Sequence, residues 1–144
     1  MRWKLSCTVL RGGTARDGGS LLDKKLGKER QPYAVALADR RLMAMAGLWE
    51  SWRSPAGERL RSFAIVTTAA NTLLAPVHDR MPVILGPENW PLWLDEAPAD
   101  PDRLKALLIP YPADDMVIWP VDRRVGNVKN NDPSLIEPVV LAES

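Results

Sequence analysis

Proline most limits what this chain can fold into. Thirteen prolines are spread through 144 residues, and a proline inside a helix removes a backbone donor and clashes with the preceding turn. Long helices are excluded, which leaves short strands, turns and short helices. The apolar pattern agrees. Tyr33–Ala38 and Leu42–Trp49 are apolar runs separated by Asp39-Arg40-Arg41, which reads as a β-hairpin. Pro55 and Gly57 mark a second turn within Arg53–Arg59. The run Ser62–Thr68 is β-branched enough to predict a strand. Ala69–Leu74 reads as a helical turn stopped by Pro76, and Pro82–Leu85 as a short buried strand.

Two short helices are expected after that. Behind Pro87-Glu88, Trp90, Trp93 and Leu94 fall at i, i+3 and i+4 on one face. Behind Asp100-Pro101-Asp102, Leu104, Leu107 and Leu108 repeat the spacing. Met116–Val121 predicts a later strand, and Pro138–Leu141 a last one. There are no internal repeats. The expected fold class is α+β: a mostly antiparallel sheet or partly open barrel with short flanking helices.

The length suits one domain, but two stretches read differently. Residues 1–30 carry eight Lys or Arg against three Asp or Glu, and two Gly-Gly pairs. They predict a short strand over Trp3–Leu10 and then a mobile loop. Residues 31–144 carry eleven basic against fifteen acidic residues. The net charge of +1 therefore gives no support for non-specific nucleic-acid binding, and any such contact must be local. No apolar run approaches the roughly 20 residues that span a bilayer, and no apolar segment of a secretory signal follows Met1-Arg2-Trp3-Lys4. No membrane association and a cytoplasmic location are expected.

Cys7 is the one cysteine and His78 the one histidine. An intrachain disulfide, a cysteine-type zinc site and a two-histidine mechanism are excluded. No metal and no cofactor are expected.

Chemistry concentrates in Thr67-Thr68-Ala69-Ala70-Asn71 and Val77-His78-Asp79-Arg80-Met81-Pro82-Val83-Ile84-Leu85. Here a polar triplet lies between two apolar strands. Histidine can exchange protons near neutral pH, and arginine can bind a phosphate with two parallel hydrogen bonds. Asp79 can pair with either neighbour. Thr67 or Thr68, ending its strand, can hold one imidazole nitrogen, with His78 at the rim of a concave surface beside Arg80. The plainer alternative is a surface loop with a local ion pair.

This stretch, "TTAAN…APVHDRMPVIL" followed by a tryptophan-rich helix, closely resembles the SRAP (SOS response-associated peptidase) family. Three further motifs agree in order. Gln31-Pro32-Tyr33 is similar to the family's "KQPY", Ala46–Trp52 to its "AGLWE-W", and "VDRRVGNVKN" from Val121 to Asn130 to its C-terminal signature. The resemblance covers about residues 31–141. It implies binding of single-stranded DNA and capture of abasic sites by an N-terminal cysteine, whose amine and thiol close a thiazolidine on the opened sugar. The same cysteine is implied in self-processing. The resemblance also makes His78 a proton-transfer residue and Arg80 a contact to DNA phosphates. It brings Trp3 close to the DNA and adds modest weight to Lys129 as a phosphate contact beside Gly126.

The chain departs from the family at its start. It begins Met1-Arg2-Trp3 rather than Met-Cys-Gly-Arg, and Cys7 is internal. An internal cysteine has no free α-amine and cannot close a thiazolidine. The family's "N-A-R-x-E" has no counterpart. Met1-Arg2-Trp3-Lys4 resembles the remnant of a "G-(F/W)-(Y/F)-E-W-K" motif, with Arg2 at the glutamate position. Glu50 belongs to the later "WE" motif and reads as structural or exposed.

The expectation is the C-terminal part of an SRAP domain over 31–144. Its first half would be missing, through divergence, degeneration or a misassigned start, and its sheet edges would be open to self-association. Trp49, Trp52, Trp90, Trp93 and Trp119 are expected mainly in the core, with base stacking as the alternative. Asp114-Asp115 reads as a solvated turn. Three functions compete: a repair factor with residual His78 chemistry, a non-catalytic single-stranded DNA module, and an inactive remnant.

Overall fold

The computed structural model describes residues 4–10, 22–26, 29–94 and 99–141. The mobile loop expected after Leu10 lies outside them as far as residue 21, but its later part is strand rather than loop, because Leu22–Leu26 finds an antiparallel partner in residues 29–33. Every strand pair is antiparallel, in three small sheets. The first joins β1 (Lys4–Leu10), β4 (Met43–Arg53) and β5 (Arg59–Ile65) in the order β1-β4-β5. The second joins β2 (Leu22–Leu26), β3 (Glu29–Leu37) and β8 (Met116–Pro120) in the order β2-β3-β8. The third is the ribbon of β6 (Thr67–Ala69) and β7 (Arg80–Pro82). With two short helices, α1 (Trp90–Leu94) and α2 (Pro101–Lys105), the fold is α+β and contains no closed barrel among the described residues.

The hairpin expected across Asp39-Arg40-Arg41 does not form. The chain does turn there, with Arg40 in the left-handed region at φ 60. But β3 pairs with β2 and β8, whereas β4 pairs with β1 and β5. The turn hands the chain from one sheet to the next, and Leu37 and Met43 meet in one core cluster. A short turn makes the chain reverse, but the partner that buries each strand comes from elsewhere in the sequence. Val35 lies opposite Ile118, and Trp49 opposite Phe63.

β4 is the spine. Its first half, Met43–Gly47, is buried and its last residues, Ser51–Arg53, are exposed. The exposed end continues through a turn in which Gly57 takes φ 88, a conformation that favours glycine. The strand expected over Ser62–Thr68 is broken at Val66. Val66 donates to the Ala46 carbonyl and accepts from Val83 N–H, both at 2.9 Å. This is the point where the chain leaves β4 and turns to β7. Residues 83–85 then take the vacated side of β4, with Ala46 N–H bonding Val83 and Leu85 N–H bonding Ala44. For that reason the expected strand Pro82–Leu85 splits into β7 and a bridge at Ile84.

Two apolar clusters form the core. One gathers Leu37, Met43, Leu74, Met81, Ile84 and Met116. The other gathers Ala46, Val83, Leu85 and Trp93, with Leu104, Leu107 and Leu108 packed against it. Asp100 caps α2 by accepting from Asp102 N–H at 3.0 Å. The helix ends at Lys105, earlier than Leu108: Leu107 and Leu108 N–H bond the carbonyls three residues back, Leu104 and Lys105, which tightens the last turns out of the α-helix. Pro138 makes a bridge to Val121 rather than opening a strand. Among the described residues no helix is long and apolar enough to cross a membrane.

Candidate functional site

The turn between β6 and β7 is built by Asn71. Its Oδ1 accepts from Leu74 N–H at 3.0 Å, while its Nδ2 donates to the Tyr111 carbonyl at 2.8 Å and to Met116 Sδ at 3.3 Å. Asn71 is buried, so these bonds satisfy an amide that would otherwise be costly. They tie the turn to the 108–116 segment. Asparagine favours such helix-like starts. Leu74, 1 % exposed, anchors the turn in the core, and its carbonyl accepts from His78 N–H at 3.0 Å. Ala70 N–H bonds the Asp79 carbonyl at 3.0 Å and closes the base of the loop. His78, Asp79 and Arg80 are thereby presented outward, all exposed.

Arg80 is held firmly. Its Nη2 donates to the Thr67 carbonyl at 2.7 Å and to the Thr67 hydroxyl at 2.9 Å, and its Nε lies 3.3 Å from the same hydroxyl. The register explains this. Arg80 lies opposite Ala69, so Thr67 is its diagonal neighbour, within reach of a long side chain. His78 precedes β7 and lies beyond the ladder. The expected threonine–imidazole contact is therefore not made: Thr67 holds Arg80, and Thr68 Oγ1 donates to the Leu108 carbonyl at 3.3 Å.

The imidazole is held by its own loop. Nδ1 lies 3.0 Å from the Arg80 N–H, which it accepts when the proton of the neutral ring is on Nε2. A charged ring would instead carry a proton on Nδ1. Asp79 Oδ1 and the Arg80 carbonyl, each 3.1 Å away, are the acceptors for it. Half of the His78 side chain, 49 %, faces solvent.

Of the residues singled out in the sequence, Thr67, His78 and Arg80 come together. Trp3 lies outside the described residues. Lys129 is exposed in a turn where its N–H bonds Asn127 Oδ1 at 3.1 Å, with no hydrogen bond to His78 or Arg80. It follows the Pro120 end of β8, while the His78 turn packs at the Met116 end. A separate cleft of about 270 Å³ lies between Ile84–Asn89 and Ala106–Pro112 and is lined by none of the residues singled out as site candidates. No group of His, Cys, Asp and Glu able to hold a metal occurs among the described residues.

The tryptophans divide. Trp93 is buried. Trp90 and Trp119 are half-buried, with ring N–H groups on the Leu85 and Ile136 carbonyls at 3.0 and 2.8 Å. Arg40 stacks over Trp119 at 4.5 Å. Trp52, expected mainly in the core, is exposed because it sits on the part of β4 that outruns the core. Sequence reading attached no role to Gln31 beyond its motif. It is buried, and its Nε2 bonds the Val121 carbonyl at 2.8 Å, joining the "QPY" and "VDRRVGNVKN" motifs. Two motifs far apart in the chain were the available signal.

The backbone N–H and guanidinium of Arg41 hold the Asp39 carboxyl below the ordinary carboxylate range, and Arg124 does the same for Asp122. Burial pushes the Tyr111 phenol up.

The sequence profile of SOS response associated peptidase (SRAP) matches residues 23–128. The chain is similar to the abasic site processing protein YoqW of Bacillus subtilis, 46% identical over 110 residues, which cover 76% of this chain and 49% of that one. It is 36% identical to the abasic site processing protein YedK of Escherichia coli over 117 residues, 81% of this chain and 52% of that one. To the abasic site processing protein HMCES of Rattus norvegicus it is 38% identical over 102 residues, 70% of this chain and 28% of that one. The chain thus spans about half the length of the bacterial relatives it matches. Its fold matches a solved Bacteroides thetaiotaomicron protein with a TM-score of 0.82 at 23% identity, over 95% of this chain and 57% of that one. A Bordetella bronchiseptica protein matches with a TM-score of 0.64 at 28% identity, over 81% of this chain and 55% of that one. With the profile spanning most of the chain and the same motifs laid out in the fold, the chain belongs to the SRAP family.

Proposed function

We propose that this chain binds single-stranded DNA and recognises abasic sites in it, with Arg80 on a backbone phosphate and His78 as the proton-transfer group. One observation carries the reading: Arg80, two residues from an exposed imidazole, is locked to Thr67, and the imidazole Nδ1 faces both Asp79 Oδ1 and the Arg80 carbonyl. A fixed guanidinium loses little freedom on binding a phosphate. A ring protonated on both nitrogens, its Nδ1–H on Asp79 Oδ1 or the Arg80 carbonyl, can pass its Nε2 proton to the ring oxygen of an abasic sugar as the hemiacetal opens, while the C1 hydroxyl gives its proton to water and the aldehyde forms. Relatives named as abasic site processing proteins support the substrate class.

In this reading residues 31–144 act as the C-terminal part of an SRAP domain, joined to the basic segment 1–30. Capture of an abasic site as a thiazolidine requires an α-amine and a thiol on one residue. Cys7, the sole cysteine, is internal, so these 144 residues alone bind without crosslinking. Thr67 supports Arg80, and Trp3 and Lys129 supply further DNA contacts. The outer edge of β5 has no strand partner among the described residues. That edge supports self-association at high concentration, which light scattering across a concentration series measures.

Fluorescence anisotropy with a labelled single-stranded oligonucleotide at two salt concentrations tests the function. Arg80→Ala should weaken binding about tenfold, as loss of a charge-assisted bond implies, and flatten the salt dependence. His78→Ala should leave affinity nearly unchanged. Undetectable binding by the unmutated chain would leave an inactive remnant.

A further inference from the structure

The exposed hairpin β4–β5 is the largest surface feature that the His78–Arg80 site does not use. Its register sorts side chains onto two faces. Trp49 lies opposite Phe63, Ser51 opposite Arg61 and Arg53 opposite Arg59. Directly opposed residues of an antiparallel pair share a face, so this face carries two aromatic rings and three guanidinium groups. Glu50, opposite Ser62, belongs to the other face. Glu58 sits in the turn beyond Arg59.

This composition is unusual for a solvated strand. Phe63 is 72 % exposed, an apolar ring left in water by the fold. Arg53, Arg59 and Arg61 are exposed and make no ion pair with a described residue. Stacking rings interleaved with unpaired cations are what a single nucleic-acid strand needs: a flat partner for bases and charge for phosphates. An unpaired guanidinium row disfavours a purely apolar protein partner.

The face also leads to the candidate site. β5 runs into β6 through Val66 alone. Thr67, which grips Arg80, lies four residues from Phe63, at most about 13 Å away, and eight from Arg59, at most about 26 Å. Arg59, Arg61 and Phe63 thus lead along β5 to the turn at Val66, and Arg80 is held just beyond it.

We infer that a DNA strand held at Arg80 continues along this face of β4–β5, with Phe63 stacking on a base and Arg61 and Arg59 holding phosphates on either side of it. The inference rests on the single-stranded DNA reading above, but it can fail separately. It makes the hairpin a length-sensing element, since only an oligonucleotide long enough to leave the Arg80 site reaches it.

The test uses the full 144-residue chain and labelled oligonucleotides of about 5 and about 20 nucleotides, bracketing common single-strand site sizes. Phe63→Ala should weaken binding of the long oligonucleotide roughly 5- to 150-fold, the loss of one stacked base. The double variant Arg59→Ala/Arg61→Ala should reduce its salt slope by about 1.4, or about 0.7 per phosphate contact. Neither should change binding of the short oligonucleotide, which Arg80→Ala should weaken about tenfold. Circular dichroism confirms that the variants fold, and Arg59→Lys/Arg61→Lys should restore most of the salt slope. Unchanged long-oligonucleotide binding in both hairpin variants, with Arg80→Ala still impaired, overturns the track and spares the site. A change of oligomeric state in Phe63→Ala without loss of DNA affinity makes the face a protein interface and also overturns it. If neither oligonucleotide binds the unmutated chain, both readings fall.

Discussion

Arg80 reaches diagonally across the β6–β7 ribbon to Thr67, where one guanidinium nitrogen bonds both the carbonyl, at 2.7 Å, and the hydroxyl, at 2.9 Å. The threonine that opens β6 thus sets the position of the cation that opens β7. The proposed division of labour follows, in which Arg80 binds and His78 moves protons.

Thr67→Val keeps the shape and the carbonyl but removes the hydroxyl acceptor. Arg80 then loses one of its anchors. Single-stranded DNA affinity should fall roughly 2- to 10-fold, the worth of one ordinary hydrogen bond. Circular dichroism should be unchanged. A titration by fluorescence anisotropy checks it, and a loss as large as in Arg80→Ala would contradict the supporting role.

Incubation of the 144-residue chain with single-stranded DNA carrying an abasic site should give no stable crosslink on denaturing electrophoresis. The only thiol, Cys7, lies inside β1 and has no α-amine of its own. A shifted band that survives heating and disappears in Cys7→Ala would defeat this prediction.

Asn71→Ala should destabilise the fold by about 1–3 kcal/mol, because the Tyr111 carbonyl loses its partner and the Leu74 N–H keeps only its longer bond, 3.2 Å, to the Asn71 carbonyl. Urea denaturation measures the change. Asn71→Ala should also weaken DNA binding, since the turn that presents His78 depends on the same side chain.

Acid should destabilise the chain late. Asp39 and Asp122 have carboxyl pKa values lowered in the folded state by Arg41 and Arg124. A lowered pKa contributes stability that is present above the unfolded value, about 3.9, and lost as pH falls through the folded value. Thermal stability should therefore be insensitive to these two groups from pH 8 to about 5 and decline below about pH 4. Asp39→Asn/Asp122→Asn should show a smaller acid decline, and both pairs are exposed, so the difference should be modest. An equal decline in the variant would show that other groups govern acid stability. At the alkaline end, the raised phenol of Tyr111 favours the neutral form in the fold. Its contribution is full below about pH 10 and is lost as pH rises further, and Tyr111→Phe should remove that decline.

Much of this was legible from local sequence. Prolines limited the helices, and Asp100 and Pro87 announced their starts. β-branched runs marked strands, and the adjacency of His78 and Arg80 made them neighbours in any fold. Tertiary structure alone decided the pairing. Tyr33–Ala38 and Leu42–Trp49 carry the pattern of a hairpin, yet they bury against Met116–Pro120 and Arg59–Ile65. Nothing local to Val66 announces that the strand changes partner there, because the cause is the arrival of Val83 beside Ala46. For the same reason Trp52 was expected inside and stands outside, and Thr67 serves Arg80 rather than His78. Periodicity and turn residues report how a segment bends and which residues prefer burial. Which distant backbone groups satisfy its donors, and which faces cover its apolar side, is a competition among all segments at once, and only the assembled structure resolves it.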